Sequence, residues 1–399
     1  MVAPADIPAF FASREELNLE DYVILKYVFE TSQDPRLAVA SLCSEQSTAQ
    51  WKRPGHDEDF RPLYGAKAVS LKECRGDPPG RPYFEVEIAH PHRNFGPRIP
   101  NFLSAAAGEG PFYCPGISII KWMDFEFPKS FLQCFEGPKF GLEGVRDLLG
   151  VRDRPIFIGV VKPNIGLSPG EFAEIAYESW IGGLDIAKDD EMMADAEWSP
   201  VVERARLCAQ AMKRAEQNTG RKKIFVSNIT DEVDVIPFLH DAVVAEGVNM
   251  VMINSVFTGF SAVRALRRRT KVPVLSHFTG MAVLSRLPHY GISSLVQTKL
   301  QRLAGGDVIV LPGFGERMGS SDEEALANVE ACLKPWGDLK PSLPVPGGSD
   351  SAETLPNVFS KIGHLNFGFI CGRGVYGHPQ GAAAGARSLH TAWEKLHKK

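Results

Sequence analysis

The chain has 399 residues, enough for two or three domains and a large core. Hydrophobic residues make up 44% and charged residues 23%, which excludes a disordered or a fibrous chain. Lys and Arg number 44 against 48 Asp and Glu, a formal charge of −4, so no global basic field draws nucleic acid. No apolar run approaches the roughly 18 residues of a membrane span. The basic cluster Arg264, Arg267, Arg268, Arg269 and Lys271 reads as the solvated face of a helix. The seven cysteines form no CxxC pair and read as reduced thiols. The acidic start has neither a basic stretch nor an apolar segment, so no signal peptide is expected and the cytoplasm is the expected compartment.

Residues 1–150 read as an α+β domain, a small open sheet of ferredoxin-like type with helices on one face. Tyr22–Glu30, Tyr83–Ala89 and Ile117–Phe127 are rich in β-branched and aromatic residues and predict strands. Asp34–Cys43 predicts a helix that starts at an Asp-Pro signal. His56 and Asp57–Asp59 read as a solvated loop. His90 and His92, with Pro91 between them, also read as a loop.

From about residue 155 the pattern becomes regular. Eight short apolar runs predict buried strands: 156–162, 184–189, 223–228, 250–254, 273–277, 307–311, 343–347 and 367–371. Helix-like stretches separate them, and continuous apolar strands alternating with helices argue for a parallel sheet covered on the outside. Residues 151–399 are close to the roughly 250 residues of a (β/α)8 barrel, with a doubly wound sheet as the other reading. A barrel places its active site at the strand C-termini. There the chain carries Lys162, Lys188, Asp189, Asp190, Glu191, Asn228, Asn254 and His277, and glycine pairs after the last two strands.

Gly182–Glu191 (GGLDIAKDDE) ends a buried strand in one cation and three carboxylates. Hard cations such as Mg²⁺ take oxygen ligands. Strand alternation gives Lys188 and Asp190 one direction and Asp189 the other, and a turn brings Glu191 to the same centre. A lysine carbamylated by CO₂ becomes an oxygen ligand. The plainer reading is a surface turn. In Lys162–Ser168 (KPNIGLS), Lys162 at the barrel mouth would polarise a carbonyl or donate a proton, or else be a solvated residue at a proline turn. Pro346–Ser349 and the GxGxxG match from Gly372 to Gly377 offer backbone N–H groups for a phosphate, with Arg373 adding charge. Only about 22 residues follow Gly377, too few for the second βαβ unit of a dinucleotide fold. His277 reads equally as a core or a site residue.

These motifs resemble the large subunit of ribulose-bisphosphate carboxylase (RuBisCO). The resemblance extends to Phe135–Pro138, Gly305–Asp307, Gly377–Pro379 and to Glu45–Trp51 (EQSTAQW), which is similar to the segment completing a neighbouring subunit's site. It implies an obligate homodimer with shared sites and Mg²⁺ on carbamylated Lys188 with Asp190 and Glu191. It also implies Lys162 as the catalytic lysine and Glu45 reaching across the dimer. His277 and Glu109 join as catalytic candidates; Asn164, Arg317, Gly347, Gly348, Gly372, Arg373 and Gly374 as substrate- or phosphate-binding candidates.

The departures point to a non-carboxylating member. The family's KPK is Lys162-Pro163-Asn164 here. A His-Arg pair and a further His are replaced by His277-Phe278 and Met281, and a phosphate-binding His by Val310. The serine before Gly347-Gly348 is Pro346. The loop Gly313–Gly319 holds Arg317 and no lysine; an arginine is no simple substitute for a lysine. One phosphate site is thereby lost and the other kept, which implies a RuBisCO-like protein acting on a singly phosphorylated keto-sugar or keto-acid. The first expectation is a 3-oxo-isoapionate-4-phosphate transcarboxylase/hydrolase. The alternatives are a methionine-salvage enolase or isomerase with a methylthio substrate, and a non-catalytic sugar-phosphate sensor. No small subunit is expected.

Overall fold

The computed structural model describes residues 2–49, 55–74 and 82–397. By their contacts these form two compact units, one of 1–135 with 282–297, the other of 136–281 with 298–399. Among the described residues no helix is long and apolar enough to cross a membrane.

The first unit runs β1 (Tyr22–Thr31), helix Pro35–Gln46, β2 (Lys67–Cys74), β3 (Tyr83–Pro91), helix Ile99–Ala107 and β4 (Ile117–Glu126). The sheet order is β4-β1-β3-β2 with antiparallel neighbours, the ferredoxin-like arrangement. Asp34 caps the first helix, its carboxylate accepting from the Arg36 and Leu37 N–H groups at 2.8 and 3.1 Å. The helix runs three residues past its predicted end, to Gln46. Tyr27, Phe29, Phe102, Trp122 and Phe125 are buried between sheet and helices. A further strand, Gly291–Ile292 (β10), pairs in parallel with β4. His90 corrects the loop expectation: it lies inside β3, buried, with Nε2 2.9 Å from the Gln46 carbonyl. Pro91 ends the strand and His92 opens a short 3-10 turn. Gln50 and Trp51, the end of the EQSTAQW motif, lie outside the described residues.

The second unit holds eight parallel strands in the order β12-β11-β9-β8-β7-β6-β5-β13. They are β5 (Ile156–Val160), β6 (Ile186–Lys188), β7 (Ile224–Asn228), β8 (Met250–Asn254), β9 (Val274–His277), β11 (Val308–Pro312), β12 (Leu343–Gly347) and β13 (Gly368–Cys371). Each strand coincides with one of the eight predicted apolar runs, and a helix follows each before the next barrel strand or the C-terminus. This is the (β/α)8 barrel, nearly closed. Alternate residues fill its interior in one apolar cluster: Ile156 and Ile158, Ile224 and Val226, Met250 and Met252, Val308 and Val310, Leu343 and Val345. Leu142, Val145 and Leu149 join the same cluster from helix Gly141–Leu149. That helix precedes the expected division at 150/151 and packs with the barrel.

Short signals start the helices. Ser168, the last residue of the KPNIGLS motif, caps helix Pro169–Ile181 in a reciprocal box with Glu171. The basic cluster lies on helix Phe260–Arg269 and is largely paired: Arg264 and Arg268 bind Glu136, and Arg269 binds Asp241.

Candidate active site

The strand C-termini surround a cavity of about 710 Å³ in the second unit. Lys162, Asn164, Asp190, Glu191, His277, Arg317, Gly347, Gly348, Gly372, Arg373 and Gly374 line it, eleven of the residues proposed from the sequence. Lys188, the last residue of β6, lies behind this lining and is fully buried.

The end of β6 divides its charges by strand alternation. Asp189 turns away from the cavity and binds fully buried Arg204, with Nε–Oδ1 and Nη2–Oδ2 distances of 3.1 and 3.2 Å. The Asn228 backbone N–H adds a bond at 2.8 Å. On the other side, Lys188 Nζ lies 3.9 Å from Glu191 Oε2 and has no hydrogen-bond partner among the described residues. Burial drives its pKa down, against the raising effect of the carboxylates of Glu191, Asp190 and Asp189. Asp190 forms an ion pair with Lys162 and accepts from the Met192 N–H at 3.0 Å. Burial alone would raise its pKa, but these bonds and nearby Lys188 outweigh it and hold the carboxyl below its ordinary value.

Two amides at neighbouring strand ends fix the turn after β6. Asn228 Nδ2 donates to the Asp190 and Glu191 carbonyls at 3.3 and 3.2 Å, and Asn254 Nδ2 donates to the Glu191 carbonyl at 3.0 Å. Thr230 ties the two amides together: its hydroxyl donates to Asn228 Oδ1 at 2.6 Å and accepts from the Asn254 N–H at 3.0 Å. The Glu191 side chain is thereby held toward His277, with Oε2 3.6 Å from Nε2. His277 Nδ1 accepts from the Thr279 N–H at 3.2 Å, which assigns the proton of the neutral ring to Nε2, on the Glu191 side. Burial, with a smaller effect of Lys188, holds the His277 pKa well below 6.5.

The glycine end is built on close backbone packing. An added Cβ on Gly348 would lie 2.6 Å from the Phe314 carbonyl oxygen, and one on Gly374 would lie 2.5 Å from the Asp350 carbonyl oxygen. Both glycines therefore have a structural reason beside any role with a ligand. Arg317 Nη1 donates to Ser349 Oγ at 2.7 Å, and Ser349 holds a left-handed φ of 65°. The helix after β13, Arg373–Tyr376, has four residues. Phe278, Val310 and Ile370 supply apolar lining; Met281 is buried and is not part of the lining.

Glu45 and Glu109 belong to the first unit and are not among the residues lining this cavity. Their segments adjoin, since a Cβ on Gly110 would lie 2.9 Å from the Glu45 carbonyl oxygen. The sequence reading missed Asp350, which also lines the cavity and is 6% exposed. Its one sequence signal is a carboxylate two residues beyond a Gly-Gly pair.

The family description "Ribulose bisphosphate carboxylase large chain, catalytic domain" matches residues 141–399. A ribulose bisphosphate carboxylase-like protein of Chlorobaculum tepidum is 54% identical over 402 aligned positions, covering 98% of this chain and 92% of that protein. A 3-oxo-isoapionate-4-phosphate transcarboxylase/hydrolase of Xanthobacter autotrophicus is 31% identical over 388 positions, covering 94% of each. The crystal structure of octameric RuBisCO from Pyrococcus horikoshii superposes with a TM-score of 0.91 at 31% identity, covering 98% of this chain and 92% of that one. By matched domain, identity and fold, the chain belongs to the RuBisCO large-chain family and, within it, to the RuBisCO-like proteins.

Proposed function

We propose that this chain is a Mg²⁺-dependent enzyme without carboxylase activity that forms an enolate from a keto-sugar or keto-acid bearing one phosphate. The observation that carries the reading is the asymmetry of the cavity. Arg317, Arg373 and the glycine strand ends lie in its lining, and it is also lined by Phe278 and Val310, which replace charged residues of the RuBisCO motifs.

The residues present fit a metal. Among the described residues no cluster of three or more His, Cys, Asp or Glu groups forms, so a third anionic ligand beside Asp190 and Glu191 has to come from elsewhere. Lys188 fits that need: its amine is buried without a hydrogen-bond partner, and burial favours the neutral form that reacts with CO₂. Lys188 as carbamate, Asp190 and Glu191 would hold Mg²⁺, which when bound stabilises negative charge developing on substrate oxygens.

The other roles belong to the chain's own side chains. Lys162, released from Asp190, presents an ammonium that donates a proton to the reacting carbon or oxygen. His277 presents its Nε2–H as a donor and, with Nδ1 engaged, is not poised as a base. Asn164 reaches the substrate from the turn after β5. Proton removal falls to the Lys188 carbamate or to Glu109. Glu45 of a second copy would complete the site in a homodimer, without a small subunit, in the cytoplasm.

The first substrate is 3-oxo-isoapionate 4-phosphate, supported by the relative that bears that name. Apolar Phe278 and Val310 favour a second reading, a methylthio-ketose phosphate of methionine salvage. Purified protein with Mg²⁺ and bicarbonate is assayed on both substrate types and on ribulose 1,5-bisphosphate. Turnover of a monophosphate alone is expected; turnover of the methylthio compound alone moves the assignment to the second reading. Carboxylation of the bisphosphate overturns the proposal. Monophosphate binding without turnover, unchanged by Lys188→Ala, would mark a sensor.

A further inference from the structure

The anion end of the cavity contains an acid. Asp350 follows the Gly347-Gly348 strand end, lines the cavity beside Arg373 and Gly374, and is 6% exposed. Thr354 Oγ1 donates to its Oδ1 at 3.2 Å. A buried carboxylate thus lines the end of the cavity that an incoming anion would use. Two negative groups side by side in a buried site repel each other strongly.

We propose that Asp350 is the specificity-determining residue of the glycine end: an anion enters only as the Asp350 carboxyl takes up one proton from solvent. The inference rests on the reading of this end as the site of the substrate's phosphate. The neutral acid keeps one oxygen for the Thr354 hydroxyl and turns its new O–H to the anion. An acid–anion hydrogen bond then replaces a repulsion.

The surroundings support a carboxyl that changes charge near neutrality. Burial pushes the Asp350 pKa up to about 6, opposed by the Thr354 hydroxyl and the Gly348 N–H. On its own turn lie Ser349, Ser351 and Glu353, whose carboxylate is bound by Ser351 Oγ. From β13 comes the Cys371 thiol, pushed well up by burial and by the charges of Asp350 and Glu353. Arg373, Arg317 at Ser349, the Lys162–Asp190 pair, Glu191 and His277 share the same cavity. Among the described residues no cation forms a salt bridge with the Asp350 carboxylate, so a proton would neutralise it directly.

Sulfate tests this, because its charge stays fixed over the relevant range. Calorimetry of sulfate binding is run on the full-length protein and on Asp350→Asn between about pH 6.5 and 8.5. The native protein is expected to lose about tenfold in affinity per pH unit, while the variant loses less than about threefold overall. Repeating the native titration in buffers of different ionisation enthalpy reads the proton directly, with one taken up per sulfate expected. This needs no variant to fold. Equal pH profiles with no proton uptake overturn the role of Asp350 and leave the anion end standing. Absence of sulfate binding by both proteins even at the lowest pH overturns the anion end and the proposal together.

Discussion

At the N-terminal end of the barrel the buried charges each have hydrogen-bond partners. Arg154 and Asp185 form a two-pronged pair at 2.6 and 2.8 Å, and the Phe157 N–H adds a third bond to the same carboxylate. Asp307 accepts from the Phe140, Gly141 and Val274 N–H groups. Lys223 Nζ donates to the Leu184 carbonyl at 2.6 Å. At the C-terminal end Asp189 and Arg204 are matched in the same way, but among the described residues Lys188 Nζ and Asn254 Oδ1 are buried with no hydrogen-bond partner, and Asp350 sits where ionisation is disfavoured. An unmatched buried polar group costs stability. Among the described residues of the second unit, Lys188 is the charged side chain buried without a hydrogen-bond partner, and it lies at the end where the fold puts chemistry. A matched buried charge belongs to the architecture; the unmatched amine of Lys188 is the group the proposed carbamate would use.

The largest expected effect tests the matched end. Asp185→Asn leaves Arg154 buried against a neutral partner and is expected to cost about 3–5 kcal/mol in urea unfolding. A loss below about 1 kcal/mol would mean that the pair behaves like an exposed one and would break the contrast. Asp350→Asn should act in the opposite direction. The folded state raises this carboxyl to about 6 from 3.8, so it holds a proton that the unfolded chain releases between those values. Stability carried by that proton is complete below about pH 4 and lost as pH rises through about 6. The variant should therefore match the native protein in acid and exceed it at neutral pH, by up to about 3 kcal/mol. Equal stability at all pH values would place Asp350 among the matched groups. The smallest stability effect is expected for Lys188→Met: a change within about 1 kcal/mol, because an unpartnered amine is replaced by an apolar chain of similar length. The same substitution should abolish bicarbonate-dependent Mg²⁺ binding in calorimetry. A large loss of stability would show that Lys188 supports the fold.

Much of the barrel was legible because strands buried on both faces leave uninterrupted apolar runs. Strand alternation also separated Asp189 from Asp190, as found. Less was legible in the first unit. Strand β2 (KAVSLKEC) is mostly half-exposed at a sheet edge, so its polar residues hide the pattern. His90 looked like a loop residue because Pro91 follows it, yet proline ends a strand without hindrance where no further ladder bond is needed. Asp350 was missed for a different reason. Its burial comes from a helix some twenty positions later in the chain, where Gly374 packs on its carbonyl. The lack of a partner for Lys188 is likewise a property of the assembled barrel, which no local pattern carries.

The short strand Gly291–Ile292 also has a consequence in time. It completes the sheet of the first unit at β4, which ends at Glu126. During synthesis at about 5–20 residues per second, the chain between them takes roughly 10–30 s to emerge. Throughout that interval β4 is an uncovered sheet edge on a nascent chain, open to any extended segment that passes. The unit that begins before the barrel is thus finished only late, and its missing strand arrives from within the barrel's own sequence.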